Sequence, residues 1–521
     1  MSVTTPRSPG PQRKVLEELC GVDASCPVRI ARSPELGRFL VAFRDISEGE
    51  VILKDAPLVV GPQAESAPVC LGCHRPVGLH EPHVCSNCGC ALLCGPQCEA
   101  LPAHEKECQA LRNALPNSAP LLLKDDGNWQ CILPLRCFVN QPKGLFQLEA
   151  HLDARKESGA WFECERNVVK VLHNHGLLMN YPEQAIQKVC GLLDVNCFEV
   201  RGPPDETGRS ESLRGIYPNA AFMAHSCFSN THLAIGPEYT LIVKAAANIA
   251  AGDAIVFNYT DTLISTAGRR ERLRNSKYFS CECTRCTDPT ELDTHLSSLR
   301  CPDQGCLGSV ICTNPLRPIE ATWACDKCEK TLDGSVVRTG LVGVQKELLE
   351  VDQTNVEAME TLMAKLARSL HPNHAAMLEI TQALSGMYRE QIMDEGPIVP
   401  TGLLKRKLEL CSSLLPVIEK LEPPLSRLRG ITLYEIASPM VALAKQKKIS
   451  KVSSATWAVE VRDQYVRCEE LLRESARLLL HEPPTAPEAH LAKVALMELK
   501  GVRQEIAELN KKCAKIARKK K

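Results

Sequence analysis

The residues of this 521-residue chain best suited to chemistry are its 27 cysteines. The first group lies in CLGCHRPVGLHEPHVCSNCGCALLCGPQCEALPAHEKEC, residues 70–108, where ligands come in pairs separated by two or three residues. Short spacers let a turn direct two ligands at one ion, and eight ligands are enough for two tetrahedral zinc sites. The eight are Cys70, Cys73, Cys85, Cys88, Cys94, Cys98, His104 and Cys108. Cys90 is an additional thiol in the same stretch.

A second group, CECTRC, provides Cys281, Cys283 and Cys286, which is one ligand short of a tetrahedral site. The candidate for the fourth ligand is Cys227, which stands in AAFMAHSCFSNTH with no other cysteine nearby. Two alternatives remain at this point. Cys227 could be a small buried hydrophobic residue, and CECTRC could be an exposed redox cluster.

A third group combines CPDQGC with CDKC and predicts a small zinc ribbon. Its expected ligands are Cys301, Cys306, Cys325 and Cys328, and Cys312 could replace one of them. The three groups use fifteen of the 27 cysteines, and the twelve that remain are predicted to be packing residues.

Composition narrows the class of protein. The chain is 44% hydrophobic and 24% charged, with a formal net charge of zero, so no global field favours nucleic acid or anionic membrane. No apolar run approaches the roughly 18 residues of a membrane span, and the polar N-terminus lacks the core of a secretory signal. We expect an intracellular protein of the cytoplasm, the nucleus or both, where clustered cysteines bind zinc. The basic tail NKKCAKIARKKK is either a nuclear-import signal or, as we favour, a solvated helix end.

The spacing of hydrophobic residues predicts the strands and helices around the cysteine groups. Short apolar runs such as VRIAR, FLVAF, EVILKDAPLVV, LIVKAAANI and DAIVFNY predict strands on both sides of a helical stretch that follows the finger. The loop RGPPDETGRSE, residues 201–211, either lies beside the substrate channel or, as we favour, is a hairpin without a role in function. From about residue 336 the pattern is helical, with breaks at PNH, PPL and EPPTAPEA.

These residues resemble the SET and MYND domain proteins, a group of protein-lysine methyltransferases that use S-adenosylmethionine. The resemblance implies that Cys70, Cys73, Cys94 and Cys98 hold one zinc ion of the MYND finger. Cys85, Cys88, His104 and Cys108 would hold the other. Within the family, the chain is most similar to the arthropod msta-like branch, which shares the extra ribbon.

Four further segments carry the resemblance. SPELGRFLVAFRDISEGEVIL resembles the cofactor loop with its strands, and VNCFEV resembles the strand whose asparagine, Asn196, faces the cofactor. MAHSCFSN resembles the NHSCxPN element, and VFNYTD resembles the strand with the active-site tyrosine, Tyr259. The resemblance implies a knotted core in which this strand passes close to the AHSC strand. The cofactor-binding residues that it implies are Gly37, Arg38, Asn196, Ala224, His225, Tyr259 and Phe279.

Three positions depart from the family pattern. Phe39 stands where a second glycine would let the backbone approach a ligand, so the loop or the cofactor must move. Ala224 replaces an asparagine whose amide would hydrogen-bond the cofactor. Lys277 stands where the family usually has a tyrosine, although the adjacent Tyr278 could compensate.

The predicted class is α+β: a zinc-stabilised SET β-fold with an inserted MYND finger and a helical insert, followed by an all-α, tetratricopeptide-like domain. The predicted domains are 1–69 (SET, N-terminal part), 70–108 (MYND finger), 109–205 (helical insert), 206–264 (SET core, C-terminal part), 265–335 (post-SET zinc site and ribbon) and 336–521 (helical domain). The predicted cofactors are S-adenosylmethionine and zinc, with two ions in the finger, one in the post-SET site and one in the ribbon.

Two functions compete on this basis. In the first, the protein methylates a lysine of a protein substrate, either a histone or another protein, with Tyr259 as the catalytic residue. In the second, Phe39, Ala224 and Lys277 have weakened or abolished catalysis, and the protein is an adaptor that binds protein partners through its finger or C-terminal helices, as in transcriptional repression. A sequence-specific zinc-finger DNA binder is disfavoured, because the finger lacks the C-x2-4-C-x12-H-x3-5-H form and the charge is balanced.

Overall fold

The computed structural model describes residues 26–64, 66–78, 83–113, 129–396, 399–449 and 455–519. Its strands are β1 (Val28–Ser33), β2 (Gly37–Ala42), β3 (Val51–Asp55), β4 (Val59–Pro62), β5 (His83–Val84), β6 (Leu92–Leu93), β7 (Cys197–Arg201), β8 (Ser212–Ile216), β9 (Ala224–His225), β10 (Thr231–Ile235), β11 (Leu241–Ala245), β12 (Val256–Phe257), β13 (Leu299–Arg300), β14 (Ser309–Cys312), β15 (Thr322–Cys325) and β16 (Thr331–Asp333). Small sheets of two to four strands therefore replace one continuous sheet.

The helices are α1 (Pro102–Arg112), α2 (Ile132–Asn140), α3 (Leu152–Arg155), α4 (Gly159–Cys164), α5 (Lys170–Asn174), α6 (Glu183–Asn196), α7 (Thr266–Lys277), α8 (Thr284–Thr287), α9 (Gly334–Glu350), α10 (Val356–Leu366), α11 (Ala375–Asp394), α12 (Thr401–Leu421), α13 (Arg427–Ile449), α14 (Ala455–Leu479) and α15 (Pro487–Lys519). A π-helical turn, Glu165–Val169, joins α4 to α5. Within the described ranges, none of these helices has the length and apolar composition needed to cross a membrane.

The strands on either side of the helical insert form the β part of the fold. The hairpin of β1 and β2 is antiparallel, as are the sheets β10-β11-β3 and β4-β8-β7. β11 alternates as its sequence predicts, with Leu241, Val243 and Ala245 buried and the residues between them half-buried. Residues 202–211 close a hairpin between β7 and β8, so β7 lies inside the range predicted to be a helical insert. The predicted α+β class is confirmed.

The zinc-finger segment packs on this core through a buried arginine. Arg136, in α2, makes two hydrogen bonds to the carboxylate of Glu107, at 2.6 and 2.9 Å, and further bonds to the carbonyls of Val60 and Leu71. Glu107 in turn bonds Nδ1 of His104 at 3.0 Å. Because Arg136 and Glu107 are both buried, the finger and the insert share one satisfied network and are held in a fixed relation.

The C-terminal third is helical from Gly334 to Lys519 in the described ranges, and each helix from α10 to α15 contacts the next. The helical character predicted for the C-terminal region is confirmed. It joins the β core where the Leu425 amide donates to the Ala246 carbonyl and Lys244 Nζ donates to the His481 carbonyl, at 2.9 and 2.8 Å. The basic tail continues α15 as far as Lys519, and residues 520–521 lie outside the described ranges.

The start of α11 depends on a neutral histidine. His374 is the N-cap, and its Nδ1 accepts the Ala376 amide at 3.2 Å. Burial lowers the pKa of His374 to about 4, below the usual 6.5. Between about pH 6.5 and pH 4 this histidine is protonated in the unfolded chain and neutral in the folded one. The folded state is therefore fully stable with respect to this group above about pH 6.5 and loses stability as pH falls towards 4. From pH 7.5 to 5.0 we expect the wild type to lose about 2 kcal/mol more free energy of unfolding than His374→Asn in urea titrations.

Asparagine is the matched comparison, because it keeps an acceptor at the N-cap and does not titrate in this range. Every other ionisable group is common to the two proteins, so the difference between them isolates His374. Equal pH dependence of the two unfolding free energies would contradict this account of the cap.

Candidate functional site

The site predicted around Tyr259 forms where two short strands run side by side. β9 pairs in parallel with β12, in the register Ala224 with Val256 and His225 with Phe257. The strand predicted to contain Tyr259 is shorter than expected, since β12 ends at Phe257 and Tyr259 follows in the loop. The predicted proximity of the two strands is nevertheless observed, and it places Tyr259 beside the AHSC segment.

Aromatic rings surround Tyr259. Its ring centroid lies 4.5 Å from that of Phe257, 5.0 Å from His225 and 6.5 Å from Phe279 in an edge-to-face arrangement. The hydroxyl donates to the Met223 carbonyl at 2.5 Å, and burial raises the pKa of the phenol above its usual value. At neutral pH the hydroxyl therefore keeps its proton, and its oxygen is free to accept a hydrogen bond from a further group.

The four sulfurs of the second cysteine group meet directly behind this tyrosine. The ligand atoms of Cys227, Cys281, Cys283 and Cys286 all lie within 4.8 Å of one another. Buried Arg269 donates to the Cys227 sulfur from Nε at 3.3 Å and to the Cys286 sulfur at 3.5 Å. A cation hydrogen-bonded to two sulfurs suits thiolates, which are the form that binds zinc.

His225 connects the sulfur cluster to Tyr259. The Tyr259 amide donates to His225 Nδ1 at 3.1 Å, so the proton of the neutral ring is on Nε2, which lies 3.3 Å from the Cys227 sulfur. Burial lowers the pKa of His225 to about 4, which keeps the ring neutral at pH 7. The imidazole therefore links the backbone of Tyr259 to Cys227, the fourth ligand of the cluster.

Lys277 also reaches this site from the last turn of α7. Its ammonium donates to the carbonyls of Asp194 and Val195, at 3.1 and 2.6 Å, where α6 ends. The same nitrogen lies 5.7 Å from the centre of the Tyr259 ring. Tyr278 does not take this place, because its backbone is left-handed and its ring lies 5.5 Å from that of His151.

The structure corrects the local conformation predicted for Asn196. This residue is the last of α6, and the strand begins one residue later. Its amide nitrogen donates to the carbonyls of Glu149 and Leu192, at 2.7 and 2.8 Å, so both amide hydrogens are used within the protein. Helical periodicity in QAIQKVCGLLDVN continues through Asn196, and the strand signal in VNCFEV belongs to the residues after it.

The glycine predicted to lie in the cofactor loop closes the β1–β2 hairpin. Gly37 has φ +64, a conformation that favours glycine. Arg38 lies 5.0 Å above the Phe222 ring and donates to the Gln147 carbonyl, so it joins the hairpin to the helical insert. Phe39 is an ordinary strand residue paired with Ala31 and does not lie in the turn itself.

An unpaired donor lies next to Tyr259. Among the described residues, Asn258 Nδ2 is buried without a hydrogen-bond partner, while its Oδ1 accepts the amide and hydroxyl of Thr260 at 3.0 and 2.9 Å. A buried donor without a partner is costly, so this position suits a polar ligand or an ordered water.

The other three cysteine groups also assemble with the predicted membership. The groups with ligand atoms within 4.8 Å of one another are Cys70, Cys73, Cys94 and Cys98; Cys85, Cys88, His104 and Cys108; and Cys301, Cys306, Cys325 and Cys328. Backbone amides donate to sulfurs in these groups, such as Gly308 to Cys306 and Lys327 to Cys325, both at 3.4 Å. Four ligands leave no open position, so each group fits a structural zinc ion.

Beyond the tyrosine loop, a cavity of about 1290 Å³ lies between α7, the ribbon and helices α9 and α11. Its wall begins at Asp261, two residues after Tyr259, and includes Leu316, Trp323 and Leu341. It is a separate space from the aromatic cluster, since Tyr259 is not part of its wall.

Comparison with known proteins agrees with this geometry. The family model for the SET domain matches residues 37–260, a range that runs from the β1–β2 hairpin through Tyr259. This part of the chain, which is less than half of its length, is therefore similar to the SET domain. The matched range contains both strands of the parallel pair and the finger inserted between β4 and the helical insert.

Relatives of the SET domain include a Drosophila melanogaster protein, "SET domain-containing protein SmydA-8, isoform A", which is 29% identical over 58% of this chain and 64% of its own length. "N-lysine methyltransferase SMYD2" of Gallus gallus is 31% identical over 49% of this chain and 58% of its own length. "Histone-lysine N-methyltransferase ASHR1" of Arabidopsis thaliana is 22% identical over 87% of this chain and 97% of its own length. The chain thus spans less than two thirds of the length of the first two of these relatives.

A solved structure titled "Crystal structure of the SET domain of LSMT bound to Lysine and AdoHcy" matches 94% of the chain with 13% identity. Its TM-score of 0.26 is too low to establish detailed structural similarity.

Sequence analysis missed the residues that pack behind Tyr259. Arg269, Glu291 and Arg285 form a buried network, with Arg269 and Glu291 paired at 2.7 Å. Met223 supplies the carbonyl that holds the Tyr259 hydroxyl. A charged residue in RRERLRNSK gives no local sign of burial, so only contact with distant residues identifies it.

Proposed function

We propose that this protein is an S-adenosylmethionine-dependent protein-lysine N-methyltransferase. The observation that carries the proposal is the position of Tyr259, a neutral phenol between aromatic rings whose hydroxyl is fixed by the Met223 carbonyl. The proposal is supported by the match of residues 37–260 to the SET-domain model and by relatives named as lysine methyltransferases.

The residues present fit the proposed cofactor. The Phe279 ring offers an apolar face, and Asn258 offers a donor without a partner among the described residues. We assign cofactor binding to Gly37, Arg38, Asn196, Ala224, His225, Tyr259 and Phe279, as the family resemblance implies. When bound, the cofactor would supply an electrophilic methyl group on a sulfonium.

The chain's own residues would prepare the nucleophile. A lysine side chain must lose its proton before it attacks, and an apolar, water-poor site lowers its pKa by disfavouring the charged amine. The rings of Phe257, Tyr259 and Phe279 provide such a site. The Tyr259 oxygen, still able to accept, would take a hydrogen bond from the amine and fix the direction of its lone pair. The zinc ions hold structure only.

Calorimetric titration of the purified, zinc-loaded protein with S-adenosylmethionine tests the proposal. We expect binding at micromolar to submillimolar concentration, and tritiated methyl transfer from the cofactor to core histones or to proteins of a desalted cell extract. Absence of binding at millimolar cofactor would overturn the proposal. The target lysine belongs to a protein substrate, which is either a histone or another protein. We keep the domain division predicted from the sequence, in which further protein partners would bind the finger (70–108) or the helical domain (336–521).

Lys277 favours the second candidate function, that of a weakly active or inactive adaptor. Its ammonium lies beside Tyr259 and would repel a second cation bound there. The sulfonium of S-adenosylmethionine is such a cation, whereas the sulfur of the product S-adenosylhomocysteine is neutral. Two like charges about 10 Å apart repel by about 1.7 kcal/mol at an effective dielectric constant of 20.

We therefore expect Lys277→Met to strengthen S-adenosylmethionine binding about tenfold relative to S-adenosylhomocysteine, measured as the ratio of the two dissociation constants. Lys188→Met is the matched control, because Lys188 also lies over a ring, 5.6 Å from that of Phe146, away from Tyr259. It should leave the ratio unchanged. An unchanged ratio in Lys277→Met would show that this ammonium does not act on the cofactor charge.

A further inference from the structure

Two of the cysteines that sequence analysis assigned to packing lie together in the helical insert. Cys164 ends α4, directly before the π-helical turn, and Cys190 lies in the middle of α6. The two side chains interact with each other and line the same small cavity. π-Helical turns are rare and are found often at functional sites. Neither residue belongs to any of the four zinc-ligand groups.

A buried arginine makes one of these thiols different from the other. Arg155, which is fully buried, donates from a terminal nitrogen to the Cys164 sulfur at 2.8 Å and from the other to Asp194 at 2.8 Å. The hydrogen bond from Cys190, together with the charge of Arg155, lowers the pKa of Cys164. The bond to Cys164 and burial raise the pKa of Cys190. Cys164 is thus the thiol of the pair that loses its proton more readily.

Both cysteines border a cavity of about 170 Å³, whose wall also includes the exposed residues Ala64 and Glu163. Arg214 is also in its wall, and the Arg214 Nε is buried without a hydrogen-bond partner among the described residues. The cavity can hold several water-sized molecules, and the unpaired Nε offers a hydrogen bond to a small polar guest.

We propose that Cys164 and Cys190 form a peroxide-reactive thiol pair that oxidises to a disulfide. The Cys164 thiolate attacks one oxygen of hydrogen peroxide, so an S–O bond forms, the O–O bond breaks, and the leaving hydroxide takes a proton to give water. The Cys190 thiol then attacks the sulfenic sulfur, forming the S–S bond and releasing a second water that carries the Cys190 proton. Two thiols and one peroxide give one disulfide and two waters. This reaction is independent of the proposed methyl transfer.

The test treats the full-length, zinc-loaded protein with substoichiometric hydrogen peroxide, blocks the remaining thiols with N-ethylmaleimide and maps non-reduced tryptic peptides by mass spectrometry. The fragment 157–166 has Cys164 as its one cysteine, whereas 189–201 contains both Cys190 and Cys197. We expect these two fragments to be linked through Cys190. Cys197→Ser is the matched control and should keep the link, while Cys190→Ser should abolish it and leave Cys164 as a sulfenic acid that dimedone traps.

Zinc release, followed with a chromogenic chelator, provides the internal comparison, because the zinc-bound thiolates also react with peroxide. We expect the linked fragments to appear before any zinc is released, and Arg155→Lys to slow their appearance about tenfold while zinc release is unchanged. Release of zinc while Cys164 remains reduced would overturn the proposal, as would a link that persists in Cys190→Ser.

Discussion

Replacing Cys227 by serine should cost the protein one of its four zinc ions and much of its stability. Cys227 is the one ligand of its group that comes from the AHSC segment, while the other three lie more than fifty residues further along. Serine is a much weaker zinc ligand than a thiolate, so the post-SET group would keep three sulfurs and a weakened site. Elemental analysis should give about three zinc ions per chain instead of four.

The free energy of unfolding should fall by at least about 3 kcal/mol, because a structural zinc ion contributes roughly 10 kcal/mol or more in small fingers. Part of the loss falls on the fully buried Arg269, because its Nε would lose the Cys227 sulfur as its acceptor. Urea titration of variant and wild type measures the change. His225 would lose the same partner, so the backbone of Tyr259 should become mobile in hydrogen exchange.

Cys312→Ser is the matched control. Cys312 is buried, as Cys227 is, yet its sulfur is outside the ribbon ligand set of Cys301, Cys306, Cys325 and Cys328. This variant should retain four zinc ions and lose about 1 kcal/mol or less. Four zinc ions in Cys227→Ser would show that the sulfur of residue 227 does not bind metal.

The cysteine spacing made the zinc framework predictable, because a tetrahedral site needs four ligands and the short spacers supply them in pairs. The incomplete group at 281–286 even required a distant partner, and the structure brings Cys227 to it. The hydrophobic period likewise predicted the strands, the insert and the C-terminal helices. Ligand spacing, ligand number and hydrophobic period can all be determined from the sequence without knowledge of the fold.

The parts that could not be predicted depend on contacts between distant segments. Lys277 looks like a solvated residue of a basic helix, yet its ammonium closes the end of α6, which is more than eighty residues earlier. The prediction that Asn196 lies in a strand was wrong, because helix and strand signals overlap in VNCFEV. The hydrogen bonds of Asn196 to Glu149 and Leu192 hold it at the end of the helix instead. The pairing of Cys164 with Cys190 required the packing of α4 on α6. Spacing alone gave no sign of it.

Replacing Tyr259 by phenylalanine should abolish most methyl transfer and leave cofactor binding almost intact. The phenylalanine ring keeps its contacts with Phe257, His225 and Phe279, while the hydroxyl that would orient the amine is lost. Removing one pre-positioned polar group from a reacting centre typically costs a factor of about 100 to 1000 in rate. We expect a fall of at least about 100-fold in tritium transfer to core histones or extract proteins. By calorimetry, the dissociation constant of S-adenosylmethionine should change less than threefold.

Stability separates this effect from simple unfolding. The lost bond to the Met223 carbonyl should lower the free energy of unfolding by about 1 kcal/mol, too little to depopulate the fold. Tyr217→Phe removes an equivalent bond, since the Tyr217 hydroxyl donates to the Tyr239 carbonyl at 2.6 Å. It should lose similar stability and keep methyl transfer within threefold. If both variants lose transfer equally, or if Tyr259→Phe keeps full activity, the hydroxyl of residue 259 has no special role in the reaction.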